Sequence, residues 1–399
     1  MLGGTGSNVY TRALAREWSL AGHDVTVVCQ ERHPERYDLG GAPVVVPELP
    51  GGLLPVFVLD RYEGLEARLL VDFSEVERRA YVEASAAALR ELGPADLVFA
   101  NHVLLGAPVG AASGLRFRVK AHGSELEYAM RGRQDLARWG AETLARADVV
   151  YAGSEHIRAV LEEVAGHVDR VEVVPPGVDV DEFRPEARSQ ALAGLLDEAR
   201  LDPVDPDERH PDPGNADRFA RFFADERPTV VYFGKLIENK GVHVLLEALA
   251  GLDARAIVVG FGDYRERLEE LAPAGTLFTG ALEHRHLRHL LPLCDAAVVP
   301  SIFPEAFGMV AAEAAAAGVL PVVSAHSGLA EVAAGIGEEV GPETAPLLTF
   351  PAGHAGALRE RLTAILALPA ERRRELGLAA RSAVERYWSW QIVAARLLD

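Results

Sequence analysis

Short apolar runs alternate with longer segments whose apolar residues fall at helical spacing, and this rhythm repeats along nearly the whole chain. In the first half, 24–29, 96–100, 117–121, 149–152 and 171–174 read as strands, with helices near 9–21, 74–91, 134–146 and 155–164. In the second half, 229–233, 256–259, 277–279, 296–299 and 320–323 read as strands, with helices around 243–250, 264–271, 284–293 and 307–317. Strands nearly continuous in Val, Ile, Phe and Ala belong to parallel sheets covered on both faces by helices. Two such series predict an α/β chain of two doubly wound domains, which 399 residues can supply at about 150–200 residues each.

The series break between Pro175 and Pro228. The expected division is a first domain over 1–180, an acidic, Pro-rich insertion or linker over 186–228, and a second domain over 229–383. Within the linker, 201–215 is poor in apolar residues and reads as an exposed loop between two short helices. One feature departs from the pattern. A doubly wound domain opens on a strand and its glycine loop follows, yet here the loop starts at Gly3. A first strand of roughly 6–15 residues with its turn is therefore expected to be missing ahead of it.

A net charge of −19 leaves no general basic face for nucleic acid. No window approaches the roughly 20 apolar residues of a membrane span, so no stable membrane insertion is expected. The two cysteines, Cys29 and Cys294, show no metal or disulfide spacing, and a cytoplasmic setting is the expectation.

The chemistry concentrates late in the chain. The stretch from Pro300 to Gly318 is a run of small apolar residues carrying Glu313, preceded by a Pro/Gly-flanked loop carrying Glu305. A carboxylate in such a helix needs a hydrogen-bonding partner, and sugar or ribose hydroxyls are suitable ones. Upstream, Gly234-Lys235-Leu-Ile-Glu-Asn-Lys240-Gly241 follows the first strand of the second domain and places two ammonium groups before a helix. Cations there can neutralise a diphosphate and the charge that grows on it as it leaves. At the start of the chain, Gly3-Gly4-Thr5-Gly6 opens a helix that ends at Gly22, but it lacks the glycine spacing of a dinucleotide fingerprint. Lys120-Ala-His122-Gly123-Ser124-Glu125 sits at a strand end, where open α/β sheets place ligands.

The two glutamates with seven residues between them resemble the donor-binding signature of retaining glycosyltransferases of family 4, which share the GT-B fold of two Rossmann-like domains facing a cleft. The resemblance is most specific from Gly234 to Glu331 and covers all but 201–215. It implies a hexose moved from a nucleotide diphosphate sugar, UDP-hexose in first expectation, to a small-molecule, glycan or lipid-linked acceptor hydroxyl, with retention and without a metal. On that pattern Lys235 and Lys240 hold the diphosphate, Glu313 the ribose and Glu305 the sugar hydroxyls, with His122 at the reacting face. His122, Glu305 and Lys240 are the catalytic candidates. Gly4, Gly6, Gly260, Gly262, Phe307, Gly308, Met309 and Val310 complete the donor site through backbone N–H groups and close approach. The loop from Ser324 to Glu331 is expected to close the pocket, and a helix over 384–399 to cross back onto the first domain. Lys235 stands where the family usually has Arg, which removes a bidentate fork.

Three other groupings have bland readings. Arg116, Arg118, Lys120, Arg131 and Arg133 could meet an anionic acceptor or form a solvated face balanced by nearby glutamates. Asp179 and Asp181 lie at the hinge and are not read as a metal pair, and His284, His286 and His289 are interleaved with arginines as on a solvated helix. Two rival functions remain at this level: an epimerase or hydrolase of nucleotide sugars on the same fold, and a non-catalytic nucleotide-sugar-binding protein.

Overall fold

The structure, a computed structural model, describes residues 1–3, 6–59, 62, 64–203 and 209–399. The chain forms two compact units, Met1–Pro176 with Val393–Asp399, and Gly177–Ile392.

In the first unit the helix Gly6–Leu20 comes first, and residues 1–3 ahead of it are not in a strand. Strands β1 (Val27–Val28) and β2 (Val44–Val45) pair in parallel, as do β3 (Leu53–Val56) and β4 (Glu66–Leu69). Strands β5 (Val98–Asn101), β6 (Phe117–Lys120), β7 (Val150–Ala152) and β8 (Val171–Val173) form a parallel four-stranded sheet in chain order. The three strands β2, β3 and β4 are not apparent from the sequence, because each is short and flanked by Pro or Gly. The helices Ala107–Ser113 and Glu155–Ala165 pack on this sheet, with Glu75–Glu91 against the first of them and Gln134–Leu144 against both; Glu75–Glu91 is opened by a Ser74/Glu77 capping box and Glu155–Ala165 by Ser154. Val119, Leu104, Leu126, Leu136 and Leu161 are fully buried in the core between sheet and helices.

The second unit carries one six-stranded parallel sheet: β9 (Thr229–Phe233), β10 (Arg255–Val259), β11 (Thr276–Phe278), β12 (Ala296–Val299), β13 (Pro321–Ser324) and β14 (Thr349–Phe350). The spatial order is β11-β10-β9-β12-β13-β14. Counted from β9, that is the 3-2-1-4-5-6 order of a dinucleotide-binding half-and-half sheet, whose order reverses between β9 and β12. Every residue of β9, β10, β12 and β13 is buried, as expected of strands covered on both faces.

Residues 186–228, expected as an insertion or linker, carry the two short helices expected there, and these are part of the second unit. The helices Arg188–Arg200 and Asn215–Phe223 bury Ala191, Leu195, Phe219 and Phe223 in the core of the second unit. Arg255 fastens the second of them, donating to the carbonyls of Phe222, Asp225 and Arg227 at its end. The C-terminal segment is two helices, Ala370–Tyr387 and Trp390–Arg396, separated at Trp388 and Ser389, and only Val393–Asp399 belongs to the first unit. No helix of the described residues is long and apolar enough to cross a membrane.

Candidate active site

Ligands of open α/β sheets sit beyond the carboxyl ends of the strands where the order reverses. In the second unit those ends are Phe233 of β9 and Val299 of β12, and the loops that leave them meet. Gly241, at φ +66°, lies so close to the next loop that a Cβ there would stand 2.0 Å from the Pro300 carbonyl oxygen. Ile302 N–H donates to the Asn239 carbonyl at 3.0 Å. This contact sets Lys240 beside Glu305: Lys240 Nζ donates to Glu305 Oε1 at 2.5 Å, and Ser301 Oγ donates to the same oxygen at 2.8 Å. Oε1 is thus saturated, whereas Oε2 accepts no hydrogen bond among the described residues. The pair is half-buried, with 32% and 21% of the Lys240 and Glu305 side chains exposed, so a ligand can reach it.

The helix Met309–Ala316 starts four residues after Glu305, from Gly308 at φ +122°. None of the N–H groups of Phe307, Gly308, Met309 and Val310 meets a backbone carbonyl among the described residues. Four free donors at the start of a helix favour an anion or an array of hydroxyls. The Phe307 side chain itself is core, packed edge-on against Trp388 with centroids 5.5 Å apart. Arg381 holds the far end of the helix by donating to the carbonyls of Ala316, Phe183 and Val180.

Glu313 lies on the second turn of that helix among buried alanines. His284 Nε2 lies 4.0 Å from its carboxylate, and His284 Nδ1 in turn faces Glu182 at 3.3 Å. Burial pushes the Glu313 carboxyl up to about 7; His284 pulls it down and Glu182 raises it further. The structure therefore joins Lys240 with Glu305, and Glu313 with His284 and Glu182. Lys235 is exposed, and its backbone carbonyl accepts from the Tyr232 hydroxyl at 2.7 Å.

Gly260 and Gly262 have a different reason to be glycine than ligand approach. Their φ values are +142° and +154°, and a Cβ would stand 1.8 Å from the Gly234 carbonyl oxygen and 2.3 Å from that of Leu236. They let the β10 loop cross the Lys235 loop. In the first unit Gly6 is the first helical residue with open space at its Cβ position, and Gly4 lies outside the described residues.

His122 lies two residues past the end of β6 and is partly buried. Asn101 Nδ2 donates to Thr11 Oγ1, which turns Asn101 Oδ1 toward His122 Nε2 at 3.0 Å. Nε2 must then carry the proton, and Nδ1 is left as an acceptor with no donor among the described residues. Burial, followed by His102 and Lys120, holds the imidazole well below its usual range, so it is neutral. Glu125, fully buried, accepts from His122 N–H at 2.9 Å and Val103 N–H at 2.7 Å. The basic cluster is dispersed: Arg116 pairs with Asp148, Arg118 with Tyr151 and Leu397, Arg131 with Glu127 and Glu163, and Arg133 with Asp135. Lys120 is buried and donates to the Val174 carbonyl. The histidines of the 284–290 helix each face a carboxylate, His286 on Asp202 and His289 on Glu186. No metal-holding group of three or more His, Cys, Asp or Glu is present among the described residues. Asp179 Oδ1 accepts from the N–H groups of Asp181 and Glu182, which closes a local turn.

Sequence reasoning gave Ser301 no role, and it reached His326 and Ser327 only as part of the Ser324–Glu331 loop, Glu125 only as part of the strand-end motif and His284 only as part of a solvated helix face. Each acts through a contact made by the fold, between residues far apart in the chain or across a turn, and carries no spacing signal of its own.

Comparison with known proteins is decisive for the family. The profile "Glycosyltransferase Family 4" matches residues 4–182, and "Glycosyl transferases group 1" matches residues 215–383. The GDP-mannose-dependent alpha-(1-6)-phosphatidylinositol monomannoside mannosyltransferase of Mycobacterium tuberculosis is 30% identical over 74% of this chain and 72% of the relative. The chain belongs to glycosyltransferase family 4. A corresponding enzyme of Corynebacterium glutamicum, named for a monoacylated acceptor, is 28% identical over 74% of this chain and 72% of its own length. Among solved structures, a sucrose-phosphate synthase from Thermosynechococcus elongatus superposes with a TM-score of 0.66 at 22% identity, covering 99% of this chain and 92% of that one. HepE from Anabaena, in complex with UDP and glucose, gives 0.69 at 17% identity over 99% and 95% of the two chains. These likenesses establish the GT-B fold for this family 4 glycosyltransferase, and the protein is an enzyme of that class.

Proposed function

We propose that this glycosyltransferase moves mannose from GDP-mannose to a hydroxyl of a glycan or lipid-linked acceptor, with retention of configuration and without a metal. The observation that carries the reading is the Lys240–Glu305 pair at the switch point between β9 and β12, with one carboxylate oxygen and four backbone N–H groups open beside it. Glu305 Oε2 accepts from hydroxyls of the sugar. The ammonium groups of Lys235 and Lys240, with the helix N–H groups, take up the charge that grows on the leaving diphosphate, the role a divalent ion would otherwise fill. Glu313 bonds the ribose, and neutral His122 offers Nδ1 to a hydroxyl at the reacting face. No carboxylate is assigned as a nucleophile; the acceptor attacks on the face the phosphate leaves, and a phosphate oxygen takes its proton.

UDP-hexose is the first expectation from sequence. GDP-mannose replaces it in this reading because the relatives at 28–30% identity are named for that donor. The test is to incubate the purified chain with radiolabelled GDP-mannose, UDP-glucose or ADP-glucose, with and without phosphatidylinositol monomannoside. Labelled lipid from GDP-mannose is the expected result. Transfer from another donor alone would overturn the donor assignment, and a changed sugar nucleotide without acceptor would favour an epimerase or hydrolase.

A further inference from the structure

The loop that carries Glu305 is held by a second loop, 324–328, which follows β13. His326 Nε2 faces the Ser301 carbonyl oxygen at 2.8 Å, and His326 Nδ1 faces Ser327 Oγ at 2.9 Å. A carbonyl can only accept, so Nε2 carries the proton. In the neutral ring Nδ1 then accepts, and the Ser327 hydroxyl must donate to it. That leaves the Ser327 oxygen as acceptor for the Glu305 N–H, at 2.9 Å. One residue further on, Gly328 N–H donates to the Glu305 carbonyl at 3.1 Å. Both backbone groups of Glu305 are thus gripped, and the direction of each hydrogen bond is fixed by the one before it.

Two observations show that this grip is built against local preference. Ser327 sits at φ +49°, the left-handed region, where a residue with a Cβ is disfavoured because the Cβ crowds the following carbonyl. Gly328 approaches so closely that a Cβ would stand 2.4 Å from Phe307 Cα. A serine would be a poor choice there if only the turn mattered, since glycine makes the same turn without strain. What serine adds is the hydroxyl that links His326 to Glu305. Strain held at a site by surrounding contacts points to a positioning task.

We infer that His326 and Ser327 are positioning residues that aim the Glu305 carboxylate at the donor sugar. The inference rests on the reading of Glu305 as a sugar-binding group. Ser301, the third member, ties the carboxylate to the same frame through Oε1 and the backbone through its carbonyl. The network acts on the sugar end of the donor and leaves the grip on the diphosphate to the lysines and the helix N–H groups.

Ser327→Gly separates aim from fold, because it keeps the turn, relieves the strain and deletes only the hydroxyl. Wild type, Ser327→Gly and Glu305→Gln are compared by calorimetric titration with GDP and with GDP-mannose, by mannosyl transfer kinetics and by thermal melting. Ser327→Gly is expected to melt at or above wild type and to bind GDP within twofold of wild type. It should bind GDP-mannose about tenfold more weakly, the loss of one hydrogen bond's worth of alignment, and transfer more slowly. His326→Ala should give the same sugar-selective loss. If Glu305→Gln loses the preference for GDP-mannose over GDP while Ser327→Gly keeps it, the positioning role is overturned. If Glu305→Gln keeps it too, the sugar-binding reading of Glu305 falls, and this inference falls with it.

Discussion

The polar clusters at the strand ends of the two units differ in how far their hydrogen-bonding capacity is filled from within. In the first unit Glu125 is fully buried and takes two backbone N–H groups, with His102 beside it at 3.3 Å, while Asn101 is filled by Thr11 and His122; only ring nitrogens of His102 and His122, the Nδ1 of each among them, are left without a hydrogen bond in this cluster among the described residues. In the second unit Glu305 and Lys240 are partly exposed, and among the described residues one carboxylate oxygen is open and four N–H groups lack acceptors. A satisfied buried network fixes one backbone arrangement, because breaking any member leaves a desolvated group. An open one pays for its vacancies in stability and recovers the free energy when a ligand fills them. The first cluster shapes a wall, and the second grips.

The contrast can be broken in order of effect. Lys240→Ala should cut transfer by about 10²–10³-fold, since it removes charge stabilisation of the leaving group, while costing no more than about 1 kcal/mol of folding stability for a partly exposed pair. Initial rates with saturating donor measure it; a variant within tenfold of wild type would place the chemistry elsewhere. Glu125→Ala should do the reverse, destabilising the first unit by about 3 kcal/mol or more through its orphaned N–H groups, as urea unfolding would read. If Glu125→Ala unfolds at the wild-type urea concentration, the first cluster is not the rigid one.

The smallest effect concerns pH. Glu313 has its carboxyl raised to about 7 by burial, against an ordinary value of 4.5. A raised carboxyl favours folding while protonated, so its contribution is present below pH 4.5 and lost as pH rises through about 7. Glu313→Gln, which cannot ionise, should therefore gain on wild type across that window, by about 3 kcal/mol in all, and the gap should stay level above it. Melting temperatures at pH 4.5, 6 and 8 test this; a constant gap would mean that Glu313 is solvated or paired with His284.

Much of the second unit was legible because its strands are continuous in apolar residues and its two lysines and two glutamates fall at telling spacings. Strands β2, β3, β4 and β14 were not, being two to four residues long, with Pro43, Pro55 and Pro351 in or beside three of them. The 186–228 stretch misleads through its charge, since the few apolar residues at 191, 195, 219 and 223 that seat its helices are diluted by acids. Gly260 and Gly262 read as ligand-facing because glycine signals close approach, but sequence does not say what approaches; here it is another loop. The Ser301–His326–Ser327 grip depends on two loops brought together by the β12–β13 pairing.

The order in which the chain is made bears on how it becomes a protein. The second unit is one uninterrupted stretch, Gly177–Ile392, whereas the first needs residues from both ends of the sequence. Trp18 Nε1 donates to the Ala394 carbonyl, and Arg118 and the Tyr151 hydroxyl both donate to that of Leu397. On the ribosome the unit begun first must wait for Val393–Asp399 before these bonds can form. Trimming that short tail would injure the amino-terminal unit and leave the adjoining one with every residue it needs.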